Sequence, residues 1–351
     1  MREKTIKDLN IKKIGIFRAL QLGDLLNVIP SMRALRKKFP KAEVTLIGLP
    51  WAKSFVRRFN KYFDNFIEFP GFPGLPERAF NPQAFVQFLS RTQQENFDLA
   101  IQMQGSGSIS NRIMELLDAK NIAGFYTEEG YKPNNQFFIP YPETGHEAEK
   151  FLKLMEGLGI KAEGTDLEFP VLEAEAEEAA RLLADHNLQE REFVCIHTGS
   201  REDARRWNAD NFAKTADYIH SKGYKIVFTG TEKERESIHK IAKMTKSPSV
   251  NLAGCTRIGE LAQILKESAL LVSNDTGVVH IATAIGAKSV IIYSKKGSNL
   301  ERWAPIDRKT HSVVEPERAK QVDNVLKEVD LKLRAESPQR MKREYEHAKA
   351  I

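Results

Sequence analysis

Short apolar runs alternate with amphipathic segments along the first half of the chain. The runs at 13–17, 44–49, 98–103 and 122–125 predict buried strands, and 24–39 has apolar residues every three or four positions, as in a helix. Strands that alternate with helices at this spacing predict a parallel sheet covered on both faces. A Pro- and Gly-rich segment predicts a surface loop over residues 69–82.

The same pattern restarts near residue 190. Strands are predicted at 193–197, 225–229, 249–252, 270–273 and 289–293, and helices at 211–221, 232–243, 258–267 and 278–285. A helix at 146–158 precedes an irregular stretch at 161–171, which we interpret as an interdomain linker. We therefore expect an α/β protein with domains at 1–170 and 171–320, and a C-terminal helix and tail at 321–351 that could pack back on the N-terminal domain.

Composition favours a soluble globular protein. The 351 residues are 41% hydrophobic and 28% charged, and no apolar run reaches the roughly 20 residues that span a bilayer. The N-terminus lacks the pattern of a secretory signal, so a cytoplasmic location is expected. Cys195 and Cys255 are too few for a disulfide framework or a zinc site. Both are expected to be reduced core residues.

Positive charge is concentrated between residues 31 and 63. The net charge of the chain is +6, and this segment has a single acidic residue, Glu43. Its basic residues are Arg33, Arg36, Lys37, Lys38, Lys41, Lys53, Arg57, Arg58 and Lys61. The segment could bind an anionic partner, or it could be a solvated helix face.

The first candidate for chemistry lies between the first predicted strand and its helix. Gly23 allows a ligand to approach the backbone closely, and Asp24 follows it at the expected helix N-terminus. A carboxylate in that position could deprotonate a hydroxyl group as a general base. Asp is also a favoured helix-capping residue, so a purely structural role stays open.

Two further candidates follow strands of the second half. Thr198, Gly199 and Ser200 precede Arg205, and together they offer hydroxyl, amide and guanidinium donors to a phosphate. The segment 274–280 then places Asp275, Thr276 and Gly277 before a helix that contains His280, and the N-terminus of such a helix suits a diphosphate. A solvated basic loop, a helix cap and a core histidine are the structural alternatives.

The ordered set of these motifs resembles glycosyltransferase family 9, the lipopolysaccharide heptosyltransferases and their relatives. The resemblance extends over roughly residues 12 to 330. Its matching residues are Arg18, Leu22-Gly23-Asp24, Pro30, Leu35, Phe97-Asp98-Leu99, Gln104-Gly105, His146, Leu158-Gly159, His197-Thr198-Gly199-Ser200, Arg205-Arg206-Trp207, Gly230, Glu234, Asp275-Thr276-Gly277 and His280-Ile281-Ala282.

The resemblance implies a GT-B fold, in which two Rossmann-like domains face a central cleft. It also implies an inverting sugar transfer that needs no metal or cofactor and uses a nucleotide-diphosphate sugar, with an ADP-sugar such as ADP-heptose favoured. The acceptor would be an anionic glycan or glycolipid of the cell envelope, such as the lipopolysaccharide core. The enzyme could then contact the inner face of the inner membrane peripherally.

The resemblance also assigns roles to residues. Asp24 is the expected general base, Arg205 contacts the departing diphosphate, and Glu234 binds the donor ribose. The other donor-binding residues are Thr198, Gly199, Ser200, Asp275, Thr276, Gly277 and His280. Acceptor binding falls to the N-terminal domain, through Gly23, Arg57, Arg58, Gln104 and His146.

The sequence departs from the family pattern in the second half. Arg205 stands where Lys is usual, which keeps the charge but changes the geometry of the contact. Ser294-Lys295 replaces a frequent Gly-Pro after the last strand. A sugar-nucleotide epimerase of the same fold and a nucleic-acid-binding protein that uses the segment 31–63 are the alternatives. A nicotinamide-dependent dehydrogenase is disfavoured, since the first turn has no Gly-x-Gly-x-x-Gly.

Overall fold

The computed structural model describes residue 6 and residues 9–133, 136–200 and 202–333. The chain divides into two compact units between Leu167 and Glu168, inside the segment interpreted as a linker. Each unit has its own sheet and its own helices.

The first unit is built on a six-stranded sheet in the order β3-β2-β1-β4-β5-β6, and the neighbouring strands are parallel. The strands are β1 (Lys13–Phe17), β2 (Glu43–Gly48), β3 (Asn65–Glu68), β4 (Leu99–Gln102), β5 (Ile122–Tyr126) and β6 (Phe138–Pro140). The helices are α1 (Leu22–Leu26), α2 (Ile29–Lys38), α3 (Ala52–Arg58), α4 (Pro82–Gln94), α5 (Ser110–Leu116) and α6 (Glu147–Gly157).

The predicted strands of this unit are confirmed, but the single helix predicted over 24–39 is wrong. The structure has α1 and α2 there, separated at Asn27 and Val28. Pro30 occupies the first turn of α2, where its missing N–H costs no hydrogen bond and its fixed φ suits a helix start. The break leaves α1 as a short turn at the end of β1. Strands β3 and β6, of four and three residues, were not predicted.

The second unit has a six-stranded sheet in the order β12-β11-β10-β7-β8-β9, again with parallel neighbours. The strands are β7 (Phe193–His197), β8 (Lys225–Thr229), β9 (Ser249–Asn251), β10 (Leu270–Asn274), β11 (Ser289–Ile292) and β12 (His311–Val314). The helices are α7 (Glu173–Asp185), α8 (Ala209–Ser221), α9 (Arg235–Met244), α10 (Ile258–Glu267), α11 (Gly277–Ala284), α12 (Leu300–Trp303), α13 (Pro316–Ala319) and α14 (Val322–Leu333).

Helix α14 belongs to the second unit rather than forming a separate segment. Val325, Val329 and Leu333 are buried in the hydrophobic core that also contains Val290 of β11 and Val314 of β12. An apolar stripe at this spacing needs a partner surface, and the sheet of the second unit supplies it. The tail expected at 334–351 lies outside the described residues.

The two cysteines differ in environment. Cys195 lies in β7 and is buried, as expected, and burial raises the pKa of its thiol to about 12. The prediction that Cys255 is a core residue is wrong, because its thiol is exposed in the turn after β9. There Gly254 has a left-handed φ of 71°, and the turn carries the next side chain away from the core.

Candidate functional site

Both sheets have the strand order of a dinucleotide-binding fold, counted from the first strand of each unit. In such sheets the order in which strands are added reverses between the first and fourth strands. Ligands bind beyond the carboxyl ends of those two strands. The reversal lies between β1 and β4 in the first unit and between β7 and β10 in the second. The predicted Gly23, Asp24, Thr198 to Ser200 and Asp275 to Gly277 all follow one of these strands.

Asp24 occupies the third position of α1, directly after β1. Its Oδ2 accepts a hydrogen bond from the Gln21 backbone N–H at 3.2 Å. Its side chain is nevertheless 24% exposed. The carboxylate therefore helps to cap the helix and remains accessible to solvent, so capping does not rule out a role as a base.

Arg18 lies beneath Asp24 and was not among the predicted site residues. Its side chain is fully buried, and its Nη2 is 3.3 Å from Oε1 of Glu147, which is also buried. Its Nε donates to the Asp24 carbonyl at 2.9 Å, and its Nη1 donates to the carbonyl of Met103. The guanidinium also stacks 4.5 Å above the ring of Phe151.

The predicted acceptor-binding residues are not all brought together. Gln104 is buried and its Oε1 accepts the Ala19 N–H at 2.7 Å, so it fixes the loop that precedes Asp24. His146 caps α6, where its Nδ1 accepts the Ala148 N–H at 3.2 Å. Arg57 and Arg58 end α3, which runs from the carboxyl end of β2 back toward the start of β3. They therefore lie toward the amino ends of the strands, whereas Asp24 lies beyond the carboxyl ends.

Part of the basic segment is occupied by contacts within the first unit. Arg33 donates to the carbonyls of Glu163 and Asp166, and Lys37 forms an ion pair with Glu163 at 2.7 Å. Arg36 pairs with Asp64 at 2.7 Å. These residues hold α2 to neighbouring segments, which accounts for part of the charge without an anionic partner.

In the second unit, Glu234 is held against the turn after β7. Its Oε2 accepts hydrogen bonds from the Thr231 N–H at 2.8 Å and from the Thr231 hydroxyl at 2.7 Å. The carboxylate lies so close to Gly199 that a methyl group added there would be 2.0 Å from Oε1. A side chain at position 199 would therefore displace the Glu234 carboxylate.

The charges of this turn are set by its surroundings. Burial lowers the pKa of His197, whose Nδ1 is 3.1 Å from the Thr229 hydroxyl. Burial alone would raise the pKa of Glu234, but the hydrogen bonds from Thr231 and the charge of Arg206 outweigh it, and the pKa is lowered. The lowered pKa favours the anionic form of Glu234.

The loop after β10 leads into helix α11. Asp275 is buried and its Oδ2 accepts the Ser298 N–H at 3.0 Å. Thr276 is the N-cap residue, and Gly277 is exposed with no atom near its missing side chain. The first N–H groups of a helix have no partner within the helix, so those of α11 can bind an anion. His280, on the same helix, contacts Trp303 edge-to-face at 6.1 Å.

Arg205 is connected to this loop through Ser298. Its Nη1 donates to the Ser298 hydroxyl at 3.1 Å, and its Nη2 pairs with Glu202 at 3.2 Å. A cavity of about 350 Å³ opens beside Arg205 and is also lined by Trp207 and Tyr293. Ser298 was not predicted, because it lies 93 residues from Arg205 in the sequence.

The acidic residues nearest to these loops are engaged by donors. Glu202 pairs with Arg205 and Asp203 pairs with Arg206 at 2.9 Å, and Asp275 accepts the Ser298 N–H. Within residues 9–133, 136–200 and 202–333, no three His, Cys, Asp or Glu side chains are grouped so that they could hold a metal ion.

Two Rossmann-type sheets that each present polar loops at the carboxyl ends of their strands are the two halves of a GT-B fold, and solved structures share this fold. The glycosyl transferase family 9 protein of Veillonella parvula has a TM-score of 0.76 at 21% identity, with 92% of this chain and 91% of that chain covered. The ADP-heptose lipopolysaccharide heptosyltransferase II of Escherichia coli has a TM-score of 0.72 at 18% identity, with 93% and 100% covered. The α/β fold class predicted from the sequence is confirmed.

Sequence comparison gives the family. Residues 86–330 match glycosyltransferase family 9 (heptosyltransferase), and the chain belongs to this family. Lipooligosaccharide heptosyltransferase 2 of Haemophilus ducreyi is 22% identical over 292 residues, which cover 80% of this chain and 82% of that protein. Lipooligosaccharide heptosyltransferase 2 of Campylobacter jejuni is 26% identical over 290 residues, 80% of each. The protein is therefore a glycosyltransferase, as the sequence predicted.

Among the described residues, no helix is both long and apolar enough to cross a membrane.

Proposed function

We propose that this glycosyltransferase moves heptose from ADP-heptose to a glycan acceptor of the lipopolysaccharide core type, with inversion and without a metal ion. The relatives with assigned substrates support the sugar and the acceptor class, since they are lipopolysaccharide or lipooligosaccharide heptosyltransferases. One similar structure is a heptosyltransferase solved with an ADP-linked fluoro-heptose. The similarity of that structure to this chain supports the fold. The proposed chemistry rests on the residues of this chain.

The observation that carries the proposal is the carboxylate of Glu234 held against Gly199. Two hydrogen bonds from Thr231 orient it, and its lowered pKa keeps it an anion that can accept hydrogen bonds from sugar hydroxyls. Ribose offers two adjacent hydroxyl groups of that kind. The N-terminus of α11 follows β10, the neighbour of β7, and so lies at the carboxyl end of the same sheet. It suits the diphosphate of the same nucleotide.

Transfer joins an acceptor oxygen to the anomeric carbon of the donor as the bond from that carbon to the diphosphate oxygen breaks. Asp24 takes the proton of the acceptor hydroxyl as the new bond forms. The leaving nucleoside diphosphate keeps the electron pair of the broken bond and gains negative charge. Arg205 and the N–H groups at the start of α11 stabilise that charge. A single displacement of this kind inverts the anomeric centre.

The proposed independence from metal rests on how the acids near the phosphate loops are used. A divalent cation of the Mg²⁺ type needs carboxylate oxygens that are free to coordinate it. Glu202 and Asp203 each face an arginine, and Asp275 accepts a backbone N–H. Fixed positive charge from Arg205 takes the place that a cation would have beside the diphosphate.

The donor assignment is tested by thermal unfolding with ADP-, UDP- and GDP-linked sugars at equal concentration. A ligand present at about 100 times its Kd stabilises the folded state by about 2.7 kcal/mol, which is a shift of several degrees in Tm. We expect ADP-heptose to give the largest shift, and Glu234→Gln to reduce it. A larger shift with a UDP-sugar would assign a different donor, and no shift with any of them would contradict the nucleotide site.

The transfer itself is tested by incubating the enzyme with ADP-heptose and heptose-free lipopolysaccharide core. Mass spectrometry is expected to show one added heptose per acceptor, and NMR of the product an inverted anomeric configuration. Retention of configuration would contradict the single displacement, because it requires an even number of displacements.

A further inference from the structure

We propose that Arg18 is a positioning residue that fixes the direction of the Asp24 carboxylate. The inference rests on the proposed role of Asp24 and adds to it a specific structural cause. The guanidinium of Arg18 is fully buried between β1, β4 and α6, and it uses each of its nitrogens for a different segment of the chain.

The contacts of Arg18 connect every element that bears on Asp24. Nε holds the backbone of Asp24 itself through its carbonyl at 2.9 Å, and Nη1 holds the carbonyl of Met103 at the end of β4. Nη2 reaches Glu147 in the first turn of α6 at 3.3 Å. Arg18 therefore links α1 to both β4 and α6 through one side chain.

The same guanidinium faces the Asp24 carboxylate without closing on it. Nη2 is 3.9 Å from Asp24 Oδ1 and 3.3 Å from Glu147 Oε1, so the nearer carboxylate is that of Glu147. A buried arginine must be paired, and Glu147 supplies the compensating charge. Glu147 thus keeps Arg18 from forming a close ion pair with Asp24, which leaves Oδ1 to accept a proton from the acceptor.

Lysine cannot reproduce this arrangement. It keeps the positive charge, but it is a single point charge on a flexible chain, whereas the planar guanidinium donates in three fixed directions. Arg18→Lys should therefore let α1 shift while the charge of the site is conserved. A displacement of about 1 Å of a catalytic group can cost roughly 100-fold in rate.

Arg36 offers a matched control in the same unit. It also donates to two carbonyls, those of Ala42 and Tyr62, and pairs with one carboxylate, that of Asp64. These partners precede β2 and β3, at the amino ends of the strands, whereas Asp24 lies beyond the carboxyl ends. Arg36→Lys thus removes a comparable set of contacts from the same fold without touching the site.

The experiment measures kcat, the KM of the acceptor, the Kd of ADP and Tm for both variants. We expect Arg18→Lys to lower kcat by about 10- to 100-fold, with the KM and the Kd within about threefold. Arg36→Lys should lower Tm by less, because its ion pair is partly exposed, and should leave kcat unchanged. In an Asp24→Asn background, Arg18→Lys should cause no further loss, because its effect acts through Asp24. Independent, multiplying losses would overturn the proposal.

A second variant keeps the test decisive if Arg18→Lys does not fold. Glu147→Gln removes the competing charge at nearly constant shape, so Arg18 should close on Asp24. A crystal structure is expected to show the Arg18–Asp24 separation shortened to ion-pair contact, and kcat should fall. An unchanged separation and rate would refute the role of Glu147 and Arg18. A wild-type rate in Asp24→Asn would instead refute the general base, and with it the proposed function.

Discussion

At the residue scale, the proposed mechanism needs a negatively charged side chain on one sheet and a positively charged side chain on the other. In the proposed mechanism, Asp24 acts as an accessible base and Arg205 acts as a fixed cation. Each is held by a neighbour that was not among the predicted site residues: Arg18 under Asp24, and Ser298 beside Arg205. The contact between Arg18 and Glu147 joins residues 129 positions apart, which no local pattern reveals.

Replacing the proposed base gives the first prediction. Asp24→Asn keeps the size of the side chain and its ability to accept the Gln21 N–H, but it cannot take a proton. Transfer should fall about 10²- to 10⁴-fold, while the Kd of ADP stays within a few fold. Rates and calorimetric binding of the purified variant test this, with the exposed Asp118→Asn as control. Transfer at nearly the wild-type rate would show that Asp24 only caps the helix.

The second prediction separates the diphosphate from the nucleoside. Arg205→Ala removes a guanidinium that is held by Ser298 and Glu202. ADP binding should weaken by about 1.5–3 kcal/mol, the range for a hydrogen bond to a charged group. Adenosine binding should hardly change, and calorimetry with the two ligands makes this comparison. Equal losses for both ligands would place Arg205 away from the phosphates.

At the element scale, the sequence predicted most strands and the loops that follow them, because buried parallel strands are continuous apolar runs. The helix break at Asn27 and Val28 was missed, since the apolar spacing continues through it and only Pro30 marks the second start. The positions of Asp24, Gly199 and Asp275 at strand ends follow from the predicted alternation. Their supporting contacts, such as that of Glu234 on Gly199, depend on how separate loops pack.

That packing gives the third prediction, which concerns the turn after β7. In Gly199→Ala the new methyl group would lie 2.0 Å from Glu234 Oε1, so the carboxylate has to move. ADP binding should weaken at least about tenfold, equivalent to 1.4 kcal/mol. Binding is measured for Gly199→Ala, Glu234→Gln and the double variant, and the double variant should resemble Glu234→Gln. Unchanged binding in Gly199→Ala would show that Glu234 is free to adjust.

The fourth prediction concerns the edge strand β12 and pH. Burial lowers the pKa of His311 to about 4, and its Nδ1 is 2.8 Å from the Ser289 hydroxyl. The unfolded chain binds this proton below about pH 6.5, whereas the folded chain binds it only near pH 4. Unfolding therefore takes up a proton in this window, and the free energy of unfolding must fall as pH drops from 6.5 toward 4.

The size of the effect can be measured. His311 contributes a loss of up to about 3 kcal/mol across the window, from about 1.4 kcal/mol per pH unit. Urea unfolding at pH 7 and pH 5 should show a smaller difference for His311→Gln than for the wild type. The exposed His239→Gln serves as control. An identical pH dependence in His311→Gln and the wild type would contradict a neutral, buried His311.

At the scale of the whole molecule, the proposed mechanism divides one reaction between two sheets of the same strand order. The first presents a base, and the second presents the groups proposed for a nucleotide. The basic segment 31–63 contributes in part to the first unit's own framework through Arg33, Arg36 and Lys37. Sequence charge alone left that use open, because the acids and carbonyls that engage these residues include positions more than a hundred residues away.

The fifth prediction tests the complete mechanism. If Arg205 and the start of α11 neutralise the leaving group, transfer should persist in excess EDTA. Added Mg²⁺ should change the rate by less than about tenfold, or 1.4 kcal/mol in barrier. Initial rates with EDTA, Mg²⁺ and Mn²⁺ make the comparison, with a metal-requiring transferase assayed in parallel. Complete loss of transfer activity in EDTA, restored by a divalent ion, would contradict the mechanism.

The repeated strand order has a consequence for how such enzymes diversify. Each unit has its own hydrophobic core, and within the described residues the chain passes from one unit to the other between Leu167 and Glu168. Substitutions that retune one ligand pocket therefore need not disturb the packing behind the other. If donor and acceptor bind to separate units, as proposed, their preferences can be inherited as separate traits, and hybrids joined at this crossing would combine the donor of one parent with the acceptor of another.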